Sequence, residues 1–217
     1  HDALGGSARE GGVPQRLTVH TVASLAHAWL LPRLAGLRQQ AGGLRVTLQL
    51  GYAFESLPPS EPAVAIRLGG GNASRSGLRS WLLWRERMLA VASPAWIADF
   101  GRDPAAWPAE QRLRHIGQDW PRRLGSARLP DAAGIASNDA MLLAHAALLG
   151  EGVAWIRESI VRPWLESGAL VALAEQGPEL TDHSVWLVCR EEMAAHPAVR
   201  VFCQWAQEEA AKRLSRR

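Results

Sequence analysis

Two places in this 217-residue sequence set hydroxyl and amide side chains where a strand gives way to a helix. In the first, the β-branched run Leu17-Thr18-Val19-His20-Thr21-Val22 reads as a strand. Ser24 is a good N-cap, and Leu25, Trp29 and Leu34 follow at roughly helical spacing. In the second, Ile135-Ala136-Ser137-Asn138-Asp139 leads into Met141-Leu142-Leu143 in the same way. A helix N-terminus carries unpaired N–H groups and partial positive charge, so two of them facing one another make a cleft suited to a small polar or anionic molecule. The chemistry predicted is binding. Asp139, as the second residue of its helix, is expected to complement the helix dipole rather than act as a base.

No catalytic arrangement accompanies these steps. The sequence holds no G-x-S-x-G elbow, P-loop or H-E-x-x-H. His27 and His145 fall inside predicted helices, and His20, His115 and His183 on or beside strands; each is singly placed, as structural histidines are. The turn Gly69-Gly70-Gly71 after Arg67 lacks the spacing of a dinucleotide fingerprint. Cys189 and Cys203 have no partner at zinc-ligand spacing and read as reduced core thiols. Neither an enzymatic activity, a metal nor a cofactor is expected.

The elements that must hold such a cleft follow from composition and pattern. With 47% hydrophobic residues the chain can bury a real core, as one large domain or two small lobes. No apolar run approaches the ~20 residues of a membrane span, and the N-terminus lacks a signal-peptide layout, so a cytoplasmic protein without membrane association is expected. The net charge is +3, but the basic residues are scattered and the tail Lys212, Arg213, Arg216, Arg217 is their only tight cluster. This chain alone is therefore expected to bind DNA weakly if at all. Residues 1–15, with Gly5, Gly6, Gly11, Gly12 and Pro14, have linker composition. Together with a start lacking methionine, this suggests a fragment.

Beyond the linker, strands and helices alternate. Pro32 should kink or split the first helix, and Gly42-Gly43 should stop it. Leu44–Leu50, Ala63–Ile66, Met88–Ala92, Leu113–Ile116, Gly152–Ile156 and Ser184–Val188 read as strands, with a loop over Tyr52–Pro62. Ser93-Pro94 opens a helix, and Glu158–Leu165 and Pro197–Leu214 are helices. The alternation predicts an α/β fold with a mostly parallel sheet.

The order of these elements is similar to a known family. Trp29-Leu30-Leu31-Pro32-Arg33-Leu34, Ala65-Ile66-Arg67-Leu68-Gly69, Val91-Ala92-Ser93-Pro94-Ala95, Leu113-Arg114-His115, Ala146 through Ala154, Trp186-Leu187-Val188-Cys189 and Pro197 through Phe202 occur in sequence. In this they resemble the effector-binding domain of LysR-type transcriptional regulators, in the branch of the glycine-cleavage activator and the β-lactamase regulators. The resemblance covers about Arg16 to Ala210. It implies an α/β architecture of two Rossmann-like lobes joined by two crossover strands, as in type 2 periplasmic binding proteins. Residues 16–88 plus 184–214 would form lobe I and 89–183 lobe II, after the linker 1–15.

The resemblance further implies an effector site drawn from Thr21, Ala23, Ser24, Arg67, Ile116, Ser137, Asn138, Trp155 and Trp186, although both tryptophans read first as core residues. The implied partners are a small-molecule effector, a homodimer or tetramer, and DNA only through an N-terminal domain missing from this chain. Ala63 and Val185 depart from the family pattern; β-lactamase regulators place an aromatic ligand contact where Val185 stands. A stand-alone solute-binding protein and a small α/β enzyme are the alternative functions.

Overall fold

The structure, a computed structural model, describes residues 15–51, 57–69, 77–118, 120, 124, 134–176 and 184–214. The expected linker up to residue 14, the glycines at 70 and 71, His183, part of the 52–62 loop and the extreme C-terminal arginines lie outside the described residues.

Among the described residues, ten strands build two five-stranded sheets. The first contains β1 (Arg16–Thr21), β2 (Arg45–Leu50), β3 (Ala63–Gly69), β4 (Leu78–Arg85) and β10 (Ser184–Arg190), in the order β2-β1-β3-β10-β4. The second contains β5 (Met88–Ala92), β6 (Arg112–His115), β7 (Ala136–Ser137), β8 (Val153–Arg157) and β9 (Val171–Gln176), in the order β7-β6-β8-β5-β9. Two α/β lobes result. In the first, β1 runs parallel to β2 and β3, while β10 is antiparallel to β3 and β4. In the second, β6 is parallel to β7 and β8, while β5 is antiparallel to β8 and β9.

The expectation of a mostly parallel sheet is thus corrected: both sheets are mixed. The physical reason is the crossing between lobes. Strands joined by helices within a lobe return in the same direction. β5 and β10, which each begin where the chain arrives from the other sheet, run against their neighbours. Two strands escaped the sequence reading. β4 (Leu-Arg-Ser-Trp-Leu-Leu-Trp-Arg) does not alternate cleanly, and the alanine-rich β9 lacks β-branched residues beyond Val171.

The first helix is split as expected. α1 (Ala23–Leu25) runs into a single π-turn at Ala26–Leu30 and a 3-10 turn at Leu31–Arg33, and α2 (Leu34–Gln40) resumes beyond. Pro32 has no N–H to give the helix ladder, so the chain rewinds around it. The remaining helices are α3 (Pro94–Phe100), α4 (Ala140–Leu148), α5 (Glu158–Glu166) and α6 (Pro197–Leu214). Ser93 caps α3, accepting a hydrogen bond from the Trp96 N–H at 3.3 Å.

Each lobe has its own core. In the first, Leu17, Val19, Leu25, Trp29, Val64, Ile66, Trp84, Leu187, Phe202 and Trp205 pack together. Cys189 and Cys203 are free and buried in this core, where the hydrogen bond between them pushes the Cys203 thiol up and the Cys189 thiol down. In the second lobe, one layer gathers Trp96, Trp107, Trp120 and Trp155. The buried Arg112 guanidinium lies 5.8 Å from the Trp107 ring centre and 5.6 Å from that of Trp120, and donates to the Pro104 and Leu124 carbonyls. Burial holds its pKa below the usual arginine value. Carbonyls and indole faces here take the place a carboxylate has in most buried arginine sites.

Candidate functional site

The parallel pairing of β1 and β3 brings their C-terminal ends to one edge of the first sheet. Thr21 ends β1, and Ala23 and Ser24 begin α1 directly after it. Thr21 is only 5% exposed, and its Oγ1 has no hydrogen-bond partner among the described residues. Arg67 lies near the end of β3, opposite Trp186 of β10. The Trp186 indole N–H donates to the Gly69 carbonyl at 3.0 Å, which fixes that ring at the same edge.

Ser24 corrects one expectation. The N-cap of α1 is Val22, in extended conformation, with no side-chain cap, and Ser24 lies within the helix with its side chain buried. The reason is local: the Ala26 N–H already bonds the Val22 carbonyl at 3.0 Å, so the helix begins two residues earlier than a Ser24 cap requires. Among the described residues, no side chain caps the first N–H groups of α1.

The second lobe is arranged differently. The N–H groups of Arg114 and Ile116 donate to the carbonyls of Ile135 and Ser137, each at 2.9 Å, and this pins β7 to β6. Ser137 Oγ accepts the Asp139 N–H at 2.9 Å. Asp139 itself, expected as the second helical residue, is the N-cap of α4, its Oδ1 accepting from the N–H groups of Met141 at 2.7 Å and Leu142 at 3.4 Å. The end of α4 is therefore closed by its own carboxylate, while the end of α1 is open. The two helices, one from each lobe, touch one another.

Ile116, directly after β6, is largely exposed. Trp155 is not brought to this group: it packs 6.2 Å from Trp120 inside the second lobe's core. Val185, too, is fully buried in the core of the first lobe. His115, whose single placement in the sequence reads as structural, lies beside Ser137. It ends β6 in register with that serine, and burial, then the charge of Arg157, holds its pKa below the ordinary histidine value. Only its adjacency to Ser137 across β6 and β7 reveals it, and no spacing in the chain signals that pairing.

Among the described residues no group of histidine, cysteine and acidic side chains could hold a metal ion. No described helix is long and apolar enough to cross a membrane.

Comparison with known proteins shows what this architecture is similar to. Residues 10–211 match the model of the LysR substrate binding domain. The glycine cleavage system transcriptional activator of Escherichia coli (strain K12) is 32% identical over 204 residues, covering 90% of this chain and 65% of that relative. The effector domain of the transcriptional regulator AmpR of Pseudomonas aeruginosa superposes with a TM-score of 0.75 at 24% identity, over 92% of this chain and 97% of that one. The regulatory domain of CrgA, a LysR-type transcriptional regulator from Neisseria meningitidis, gives 0.72 at 22%, over 91% and 100%.

Proposed function

We propose, from the premise that this chain belongs to the LysR substrate-binding domain family, that it is the effector-sensing part of a bacterial transcriptional regulator and takes a small polar or anionic molecule between its lobes. The chain spans 65% of the length of the E. coli activator it matches. Transcriptional control and DNA binding are accordingly assigned to the longer protein, through a domain outside this chain. A regulator's sensing domain has no need of catalysis, which agrees with the lack of a catalytic arrangement in the sequence.

The observation that carries this reading is the Thr21 hydroxyl. A buried polar group without a partner is costly, and native structures almost always satisfy it. Thr21 Oγ1 stands unsatisfied beside the uncapped start of α1, where α1 meets α4. A ligand oxygen seated there would accept from the hydroxyl and from the open N–H groups together. Ser24, Ala23, Arg67 and Trp186 on one side, and Ile116, Ser137, Asn138 and His115 on the other, make up the proposed lining.

The test is a thermal-shift screen of small carboxylates, amino acids and phosphorylated metabolites, since binding to the native state alone raises the melting temperature. For any compound that binds, Thr21→Val keeps the side-chain shape and removes the hydroxyl. It should leave the free protein as stable or more so, and should weaken binding about tenfold for each ~1.4 kcal/mol that the hydroxyl contributes to affinity. Unchanged affinity in Thr21→Val would move the site elsewhere.

The proposed assembly is a two-fold homodimer or a tetramer built from it, with the first lobe of one subunit against the second lobe of the other. Of the α1–α2 segment, Leu25, Leu30 and Leu37 are consumed by the subunit's own core, whereas Leu31 and the β2 residue Leu50 remain exposed. On the second lobe Leu142 and Leu149, in and just after α4, are exposed, Leu149 at 80%. These are the faces that support the assembly.

A further inference from the structure

Between β4 and β5 the chain passes from the first lobe to the second through Glu86 and Arg87. Glu86 is fully buried there. Its Oε1 accepts two hydrogen bonds, one from Trp84 Nε1–H at 2.7 Å and one from the Ser159 hydroxyl at 2.5 Å. Trp84 is the penultimate residue of β4 in the first sheet, whereas Ser159 is the second residue of α5 in the second lobe. Next to them the Glu158 N–H donates to the Arg87 carbonyl at 2.9 Å, and the Arg87 guanidinium stands 3.8 Å from the Glu158 carboxylate. One carboxylate oxygen joins a strand of one lobe to a helix of the other at the point where the backbone crosses.

The same junction reaches the segment that continues α1. Trp84 packs against Trp29 with ring centres 5.1 Å apart, and Trp29 lies in the π-turn that continues α1. That turn also touches α5. A buried acid is costly, and well-packed apolar residues often replace buried charges without loss of stability. What a carboxylate supplies at a crossing, and an apolar side chain does not, is directional bonding to both lobes at once.

We propose that Glu86 is a positioning residue that sets the angle between the lobes, by accepting from Trp84 on one side and Ser159 on the other. Rotation of the lobes about the crossing moves Ser159 relative to Trp84, so only a narrow range of angles keeps both bonds on one oxygen. The pair therefore biases the unliganded protein toward one lobe arrangement, and any ligand that favours another must bind it more tightly to offset that bias.

The hinge role of Glu86 is tested without ligand, so its failure leaves the cleft assignment standing. Nitroxide labels at Gln39→Cys on α2 and Asp99→Cys on α3, both exposed positions in a protein whose two native thiols are buried, report the distance between lobes by pulsed electron paramagnetic resonance. Ser159→Ala should broaden that distance distribution and shift its mean, while circular dichroism stays unchanged. Ser159→Thr, which restores the hydroxyl, should bring the narrow distribution back. Trp84→Phe keeps a ring against Trp29 but removes the other donor, and should broaden the distribution as Ser159→Ala does. Ser93→Ala removes a buried cap that does not bridge lobes and should leave it unchanged. A distribution identical to that of the parent protein in both Ser159→Ala and Trp84→Phe would overturn the proposal, and so would equal broadening by Ser93→Ala.

Discussion

Gly152 lies so close to Gln111 that a Cβ on the glycine would stand 2.2 Å from the Gln111 carbonyl oxygen. Gly152 precedes β8 and Gln111 precedes β6, and those two strands are parallel neighbours at the centre of the second sheet. Its φ of 156° is one that side chains other than hydrogen rarely adopt. Gly152→Ala should destabilise the second lobe by about 2–3 kcal/mol, from overpacking against backbone that has nowhere to move. Urea unfolding followed by tryptophan fluorescence measures it, and a loss under ~0.5 kcal/mol would mean that the two strand entries can separate freely.

The caps of α1 and α4 predict opposite outcomes for two alanine substitutions. Asp139→Ala removes an acceptor that holds two N–H groups and should cost ~1 kcal/mol. Asp139→Asn should restore most of it. Ser24→Ala, by contrast, replaces a residue inside a helix by the best helix former and should change stability by less than ~0.5 kcal/mol. Had Ser24 been a cap, the same change would cost as much as Asp139→Ala, so the two melting curves discriminate directly.

His115 gives the protein an acid dependence. Its folded pKa lies below the unfolded reference of 6.5, through burial first and Arg157 second. Near and below that reference the unfolded chain takes up the proton more readily, so stability is complete above it and falls as pH drops through the folded value. His115→Gln should flatten the loss of melting temperature below about pH 6.5. An unchanged pH profile in the variant would assign the acid sensitivity to other groups.

Leu149→Arg and Leu142→Arg test the assembly. Burial of a leucine contributes roughly 1.5–3 kcal/mol, so each substitution should weaken self-association by about ten- to a hundredfold if that face packs in the dimer. Sedimentation equilibrium reads the change, and both side chains are exposed in the single subunit, so neither variant should alter its melting.

Much of this protein is legible in the residues alone, and for a common reason: the legible features are local. Pro32 splits its helix wherever that helix sits, because a missing N–H cannot be supplied by context. Ser93 followed by Pro94 starts a helix, and the β-branched run ending at Thr21 forms a strand. The order of such elements along the chain is enough to indicate the family. Properties that depend on which elements become neighbours were out of reach. The antiparallel placement of β5 and β10 follows from the direction in which each enters its sheet after the crossing, not from its own residues. Ser24 lost its capping role to a backbone bond one turn away, and Trp155 went to the core because Trp120 lies beside it. His115 acquired a lowered pKa from burial and from Arg157, 42 positions along the chain. Glu86 meets Ser159 across a separation of 73 residues. Nothing short of the folded lobes brings those oxygens together, because a hydrogen bond requires a distance and a direction, and a sequence of residues specifies neither until the chain has closed on itself.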